Sequence, residues 1–327
     1  MSIINVNNVL PSSGTTVNIN GARFLTSAQY IAISEAPVAL GLESVALGNG
    51  ALTGTSTGAQ ANTALGHRTL ENSTGGLNTA VGSYALSLNT TGTENTAVGV
   101  AAGGGVINST KSVFVGRTAG GYTQSGSDNT AVGYEAGYGY NPFGPHTGMG
   151  SGNTCVGSKS GHQLTGGAYN TYIGYEAGYS TTTGDNNICI GKNSSPTSLT
   201  VSNQITLGDS NITTLRCAVQ TIIGLSDSRD KKDVAPIELG LDFVKELNPV
   251  KFVWDDRNED GKHDIADSGF IAQELKAVED KYDAADVLKL VYDENPEKLE
   301  ASYGRLIPVL VQAIKDLAAK VEQLENK

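Results

Sequence analysis

The residues Asn78-Thr-Ala-Val-Gly82 return unchanged as Asn95-Thr-Ala-Val-Gly99 and as Asn129-Thr-Ala-Val-Gly133. Related motifs end in glycine at residues 48, 66, 82, 99, 116, 133, 157, 174, 191 and 208. The spacings between these glycines are 18, 16, 17, 17, 17, 24, 17, 17 and 17 residues, and the long interval holds an insertion around Tyr140–Pro145. A near-constant period of this length indicates a repeat architecture.

Each column of the repeat has its own chemistry. The residue before the glycine is always aliphatic, as Val81 is, and the residue two positions earlier is always β-branched, as Thr79 is. Side chains alternate along a strand, so these two columns share one face, and we expect them to form the core. Four residues before the glycine stands Asn, Ser or Gln, which predicts a ladder of side-chain amides between coils. The glycine permits a corner, and a small residue such as Ala85 follows three positions later.

These columns predict a mainly β protein, a solenoid or β-roll of repeats about 17 residues long. One coil buries too little to fold alone, so stacked coils share a thin core. A slender stack is stabilised by side-by-side association, and threefold symmetry suits a fibre. The alternative is a disordered low-complexity segment, which would not need an aliphatic residue at a fixed spacing. Over residues 38–210, the columns resemble the head repeats of trimeric adhesins and the repeats of bacteriophage tail fibres and spikes.

The composition changes near residue 226. Residues 1–225 contain 7 of the 22 Lys and Arg, 9 of the 33 acidic residues and 37 of the 41 glycines. The charged remainder, about 100 residues, has a usual domain size. We therefore expect an attachment or capping segment at 1–37, a repeat shaft at 38–225, and a small α+β domain at 226–327 that ends in a helix at 302–327.

Several classes of function are disfavoured by the composition. A net charge of −11 argues against nucleic-acid binding. No run of apolar residues is long enough for membrane insertion, and the first residues lack the pattern of a secretory signal. The three cysteines and four histidines have no disulfide or metal spacing, so we expect neither a cofactor nor a metal.

The C-terminal residues carry a heptad seam. Its members are spaced alternately by 4 and 3 residues: Tyr303, Ile307, Leu310, Ile314, Leu317, Val321 and Leu324. Ile or Val alternating with Leu favours two strands in a coiled coil, whereas three slender solenoids need threefold alignment. The alternative is a surface helix that packs on its own domain.

Four segments of the charged region occur in an informative order: Ser226–Val234, Asn248–Trp254, Ser268–Leu275 and Tyr303–Leu317. The order resembles the C-terminal intramolecular chaperone of phage tailspikes and fibres, the self-cleaving peptidase S74 family, over residues 226–327. The resemblance implies a homotrimer and one autoproteolytic cut between Leu225 and Ser226, with no external substrate. It also implies that Ser226 and Lys231 are the catalytic dyad, with Asp227 beside them.

The dyad is chemically reasonable, because a serine hydroxyl becomes a good nucleophile when a nearby base takes its proton. A lysine is such a base only when it is neutral, which requires burial or nearby positive charge. Arg229 and Lys232 are close in sequence, and Phe252 or Trp254 could supply apolar cover. The alternative is a solvated linker with helix-capping chemistry.

Two further motifs have open interpretations. Asp256–Asp267 matches the ligand spacing of a calcium loop, but His263 and the final Asp depart from the pattern, and a solvated loop is the alternative. The repeated Gly133-Tyr-Glu-Ala-Gly-Tyr138 and Gly174-Tyr-Glu-Ala-Gly-Tyr179 could bind sugar through Tyr and Glu, or be plain surface positions of two similar coils.

Together these features predict a structural virion protein, a trimeric tail fibre or spike that is made in the host cytoplasm and attaches to the host surface. Its partners would be two identical chains, other tail proteins and a host receptor, with a glycan as one candidate. A cell-surface trimeric adhesin is an alternative that should carry an export signal and a membrane anchor. A polysaccharide-degrading tailspike is another, and it would need clustered carboxylates.

Overall fold

The computed structural model describes residues 44–53, 61–140, 147–218, 224, 226–255 and 263–326. The predicted N-terminal segment 1–37, the cleavage residue Leu225 and residues 256–262 of the acidic loop lie outside these ranges. The chain divides into two compact units, Met1–Asp209 and Ser210–Lys327. The predicted boundaries after residues 37 and 225 remain predictions.

The first unit is a parallel β-solenoid, as its repeats predict. In the described part of this unit, ten strands of three residues each form one sheet in chain order, and every strand pairs in parallel with the next. Each strand ends at the residue before a motif glycine, and the pairing stays in register across the 24-residue repeat, where Val132 faces Val156. The strands are β1 (Val45–Leu47), β2 (Thr63–Leu65), β3 (Thr79–Val81), β4 (Thr96–Val98), β5 (Val113–Val115), β6 (Thr130–Val132), β7 (Thr154–Val156), β8 (Thr171–Ile173), β9 (Ile188–Ile190) and β10 (Ile205–Leu207).

The predicted amide ladder is confirmed. The Asn95 side chain is fully buried between the side chains of its neighbours in the column. Its Nδ2 donates to the Ser109 carbonyl at 2.8 Å and to Asn78 Oδ1 at 3.1 Å. Its Oδ1 accepts from the backbone N–H of Ser112 at 3.1 Å. The ladder therefore supplies partners for backbone groups that the three-residue strands leave unpaired, and an unpaired buried group would be costly.

The core lies on the other side of the strand from the one expected. The middle residue of each strand points inward, and Ala64, Phe114 and Tyr172 in this column are fully buried. The aliphatic and β-branched columns face outward, with Val45 exposed by 59% and Leu65 by 42%. The prediction that they form the core is wrong, because a coil this narrow has room inside for one side chain per strand.

In some coils, the size of the inward side chain is balanced by the residue four positions after the motif glycine. Where the inward residue is Ala80, the buried Leu86 occupies that position. Where it is the larger Phe114, the position holds Gly120, whose added Cβ would overlap the phenyl ring. Leu86 and Gly120 share a left-handed backbone, at φ +48° and +63°, so the exchange changes volume and keeps the path of the chain. The pair Ala97 and Gly103 departs from this balance, and there side chains of the neighbouring coils fill the space: Leu86 and Phe114 lie 2.8 and 2.9 Å from where a Cβ on Gly103 would be. The interior thus stays filled at each level, as dense packing requires.

The second unit is a small α+β fold, as expected. Its elements are α1 (Leu241–Glu246), β11 (Val250–Asp255), β12 (His263–Gly269), α2 (Ala272–Lys281), α3 (Ala285–Leu288), β13 (Val291–Tyr292), β14 (Glu300–Ala301) and α4 (Leu306–Glu325). β11 and β12 form an antiparallel pair, and so do β13 and β14. The predicted helix at 302–327 is realised as a 3-10 turn, Tyr303–Arg305, followed directly by α4.

One face of α4 builds the core of this unit. Leu306 and Val309 are buried against Phe243 of α1 and Leu290. The same helix anchors the start of α1, since Asp316 Oδ2 accepts a hydrogen bond from the Leu241 backbone N–H at 3.0 Å. This bond and one from Gln312 lower the pKa of the Asp316 carboxyl.

The amide ladder leads to a first prediction. Asn95→Ala should lower the free energy of unfolding by about 1–3 kcal/mol for each backbone partner left unpaired, namely the Ser112 N–H and the Ser109 carbonyl. The control is Thr182→Ala, which removes an exposed side-chain hydrogen bond to the Leu199 carbonyl and leaves that carbonyl its bond from the Thr182 N–H. Urea unfolding followed by circular dichroism measures both variants. Equal midpoints for the two variants would contradict the structural role of the buried ladder.

The volume balance leads to a second prediction. Phe114→Ala should destabilise the shaft by about 3–5 kcal/mol and Gly120→Leu by about 1–3 kcal/mol, through a cavity and through overpacking respectively. The double variant recreates the Ala80–Leu86 combination, so it should be more stable than Phe114→Ala alone. Thermal unfolding of the four proteins measures the coupling, and simple additivity would show that the two positions do not share one space.

Candidate functional site

The segment that begins at Ser226 forms a tight turn. A 3-10 turn covers Ser228–Asp230, and Asp227 precedes it with an extended backbone. The Asp227 side chain accepts a hydrogen bond from the Arg229 N–H at 2.9 Å, and the Lys231 N–H donates to the Ser228 carbonyl at 3.3 Å. Aspartate is a favoured residue before a helical turn for this reason. The capping alternative raised by the sequence is thus part of the local structure.

The turn brings Ser226 and Lys231 together. Lys231 Nζ lies 2.6 Å from Ser226 Oγ and 3.4 Å from the Ser226 carbonyl oxygen. A base must lie within hydrogen-bond reach of the proton that it removes, and this distance satisfies that requirement. The pair that the sequence resemblance selected therefore has the geometry of a nucleophile and its base.

Asp227 and Arg229 form a second pair next to the first. Arg229 Nε lies 3.0 Å from Asp227 Oδ1 and 3.1 Å from Oδ2, and its Nη2 also contacts the carboxylate. Hydrogen bonds from the Arg229 side chain and backbone lower the pKa of Asp227. The carboxylate that was expected beside the dyad is thus engaged with Arg229, whose position in the sequence had suggested only a nearby positive charge.

The dyad is open to solvent in the single chain. Ser226, Asp227 and Lys231 are all exposed. Phe252 and Trp254 contact each other edge to face at 5.1 Å, and the Trp254 Nε1 donates to Asp267 at 3.1 Å. Lys231 itself is exposed, so it is not buried under apolar side chains in the single chain.

The heptad seam is also exposed. Six of its seven side chains project from α4 and are exposed, whereas Leu306, Val309 and Ala313 of the same helix are buried in the unit's own core. Exposure of the seam ranges from 42% at Leu310 to 69% at Leu324. The helix thus packs on its own domain with one face, as the alternative interpretation expected. Tyr303 at the start of the seam contacts Phe270, and its hydroxyl bonds to the Phe270 backbone at 3.2 Å. The six seam residues on α4 remain largely exposed in the described part of the chain.

A second apolar surface runs along the solenoid. It consists of the outward aliphatic column of β1–β10 together with the β-branched column, in which six of the ten residues are Thr, and we call it the outer stripe. Val98, Ile173, Ile190 and Leu207 are among its exposed members, at 39–51% exposure. Large contiguous apolar patches are rare on monomeric proteins and mark interaction surfaces.

Comparison with known families gives a partial match. Residues 226–286 match the family model of the chaperone of endosialidase, peptidase S74. The match begins at Ser226, and it ends before α4, so the resemblance over 287–327 rests on the sequence order alone. Searches of curated proteins and of solved structures gave no match.

The remaining site expectations concern metals and membranes. Within the described ranges, no group of three His, Cys, Asp or Glu side chains is placed to hold a metal ion. Most of the calcium-loop candidate, residues 256–262, lies outside those ranges. Among the described helices, none is both long and apolar enough to cross a bilayer.

Proposed function

We propose that this protein is the subunit of a homotrimeric virion tail fibre or spike, whose S74 domain aligns three chains and is then released by autoproteolysis between Leu225 and Ser226. One observation carries the proposal. An S74 chaperone match begins at Ser226, C-terminal to a β-solenoid whose last strand ends at Leu207, and the Ser226 hydroxyl lies 2.6 Å from the Lys231 Nζ. The fibre would attach the virion to the host surface.

The trimer is supported by the two apolar surfaces. The outer stripe follows ten strands, and the seam follows most of α4, so both surfaces are long and continuous along their elements. Covering apolar area with a partner contributes roughly 25 cal/mol of favourable free energy for each Å² removed from water. Identical chains supply a matching stripe and a matching seam at the same residues, which an unrelated partner would not.

The S74 domain solves a problem of register. Because the motif at Asn78–Gly82 is identical to the motif at Asn95–Gly99, two shafts displaced by one coil would still match column for column. Pairing that is weakly specified is prone to slip. A domain that joins three chain ends first sets their alignment and raises their local concentration.

The cut follows from the dyad geometry. Ser226 Oγ attacks the carbonyl carbon of Leu225, and Lys231 takes the hydroxyl proton and passes it to the backbone nitrogen of Ser226 as the amide bond breaks. Water then hydrolyses the resulting ester, which leaves a carboxylate on Leu225 and a free amine and hydroxyl on Ser226. Because Lys231 is exposed in one chain, we place its activation in the assembled trimer, where a neighbouring chain provides burial.

The cleavage mechanism leads to a third prediction. Ser226→Ala and Lys231→Arg should both abolish cutting, because alanine lacks the nucleophile and arginine cannot act as a base. Ser228→Ala and Lys232→Ala are the matched controls in the same segment and should still be cut. Mass spectrometry should find fragments 1–225 and 226–327 from the parent and the controls. Fragments from Ser226→Ala would exclude Ser226 as the nucleophile.

The assembly step leads to a fourth prediction. Ile314→Asp places a carboxylate in the seam, where burial costs at least about 1–3 kcal/mol per chain, or roughly tenfold or more in association. Light scattering should show loss of trimer, and mass spectrometry should show loss of cutting in the same sample. Lys315→Asp, one residue off the seam, should keep both. A monomeric Ile314→Asp that is still cut would break the link between assembly and cleavage.

A further inference from the structure

Two tyrosines flank a gap on the surface of the solenoid. Tyr134 and Tyr175 directly follow the motif glycines of their coils, and Ser158 holds the same position in the coil between them. The backbone ladder continues through this corner, since the Lys159 N–H donates to the Tyr134 carbonyl at 2.8 Å and the Glu176 N–H to the Ser158 carbonyl at 3.0 Å. The three residues therefore stack in register, with a small side chain between two rings.

The spacing of the coils sets the width of this gap, which we call the tyrosine notch (Tyr134, Ser158 and Tyr175). Neighbouring parallel strands lie about 4.8 Å apart, so the two tyrosine positions lie about 9.6 Å apart. Van der Waals contact needs about 3.5–4.0 Å on each side, which leaves about 2 Å for the thickness of an occupant. That thickness suits a puckered saturated ring better than a flat aromatic ring.

The ring of Tyr134 has one face occupied. The Arg117 guanidinium, one coil earlier, lies over it at 5.6 Å from the ring centroid. Ser158 lies one coil later, on the other side of Tyr134 along the stack. Tyr134 is 40% exposed and Tyr175 49% exposed, so both rings are accessible in the single chain.

The next column gives the notch a polar edge. It reads Glu135, Lys159 and Glu176, one residue from each coil. Hydrogen bonding to Glu135 raises the pKa of Tyr134, and hydrogen bonding to Glu176 raises that of Tyr175. Glu135 Oε2 also lies 3.3 Å from His162 Nε2. Carboxylates accept hydrogen bonds from hydroxyl groups, and the lysine donates to hydroxyl oxygens.

We infer that the tyrosine notch binds a neutral pyranose ring of a host-surface saccharide. The C–H edges of such a ring carry partial positive charge and suit the negative faces of the tyrosines, while its hydroxyl groups suit Glu135, Lys159 and Glu176. Two carboxylates at the edge disfavour an acidic sugar. This inference deepens the proposed attachment function, because it names a ligand class and a place on the shaft.

The test uses the full chain as expressed and five probes. These are the methyl glycosides of glucose, galactose, mannose, N-acetylglucosamine and N-acetylgalactosamine, titrated under saturation-transfer NMR. At least one should bind the parent. Tyr134→Ala and Tyr175→Ala should each weaken that binding by about three- to tenfold, and Tyr175→Phe, which keeps the ring, should weaken it less. Ser158→Trp fills the gap and should abolish binding.

The control is Tyr169→Ala, which removes a tyrosine that is 68% exposed and lies over Gly152, outside the notch. It should bind as the parent does, and circular dichroism should show the parent fold for every variant used. No binding by the parent, or binding that survives Ser158→Trp, would overturn the inference.

Failure of the notch and failure of the proposed function are separable. A trimer that is cut at Leu225 but binds none of the probes would leave fibre maturation intact and exclude the notch as a pyranose site. A monomeric, uncut chain that binds a probe through Tyr134 and Tyr175 would support the pyranose site and exclude the proposed trimerisation and cleavage. If the parent trimer binds nothing and dissociated chains do, the tyrosines are contacts between chains and the inference fails.

Discussion

The narrow interior of each coil is the constraint on which the rest of the shaft depends. A three-residue strand sends one side chain inward, and the space there admits Ala64 beside a leucine, or Phe114 beside Gly120, but not two large residues. The buried amides at Asn78, Asn95 and their equivalents occupy the adjacent column and pair with backbone groups. The two flanking residues of each strand, Val and Ile among them, are turned outward.

Both units expose apolar side chains that a partner would have to cover. The outer stripe presents residues such as Val98 and Ile190, and the seam of α4 presents Ile314 and Leu324, each exposed in the single chain. In both units the internal core is already complete, since the inward column and the cluster around Phe243 and Val309 are buried without these residues. The exposed residues are therefore surplus to the fold of one chain, which is what an interface between chains requires.

The sequence predicted the period, the strands, the amide ladder and a small residue after the corner, as at Ala85, because each has a column of its own. It did not predict which face of the strand is inward. Alternation shows that Thr79 and Val81 share a face, but the curvature and width of the coil decide that Ala80 faces the core. Likewise, the resemblance selected Ser226 and Lys231, whereas the exposure of Lys231 and the engagement of Asp227 with Arg229 depend on three-dimensional surroundings.

An alignment device for such a shaft has to lie at one end. In the proposed trimer, displacing one chain by a coil keeps the strand pairing within each chain and brings Thr96 to the place of Thr79, so most columns still match across the chains. The shaft alone thus distinguishes correct from slipped register by a small fraction of its total interface. The seam does not repeat with the coil, and α4 ends at Glu325, so a single alignment satisfies it. If the seam is removed after the stripe has closed, a separated chain no longer has a means of finding its register, and the assembled fibre persists through slow unfolding.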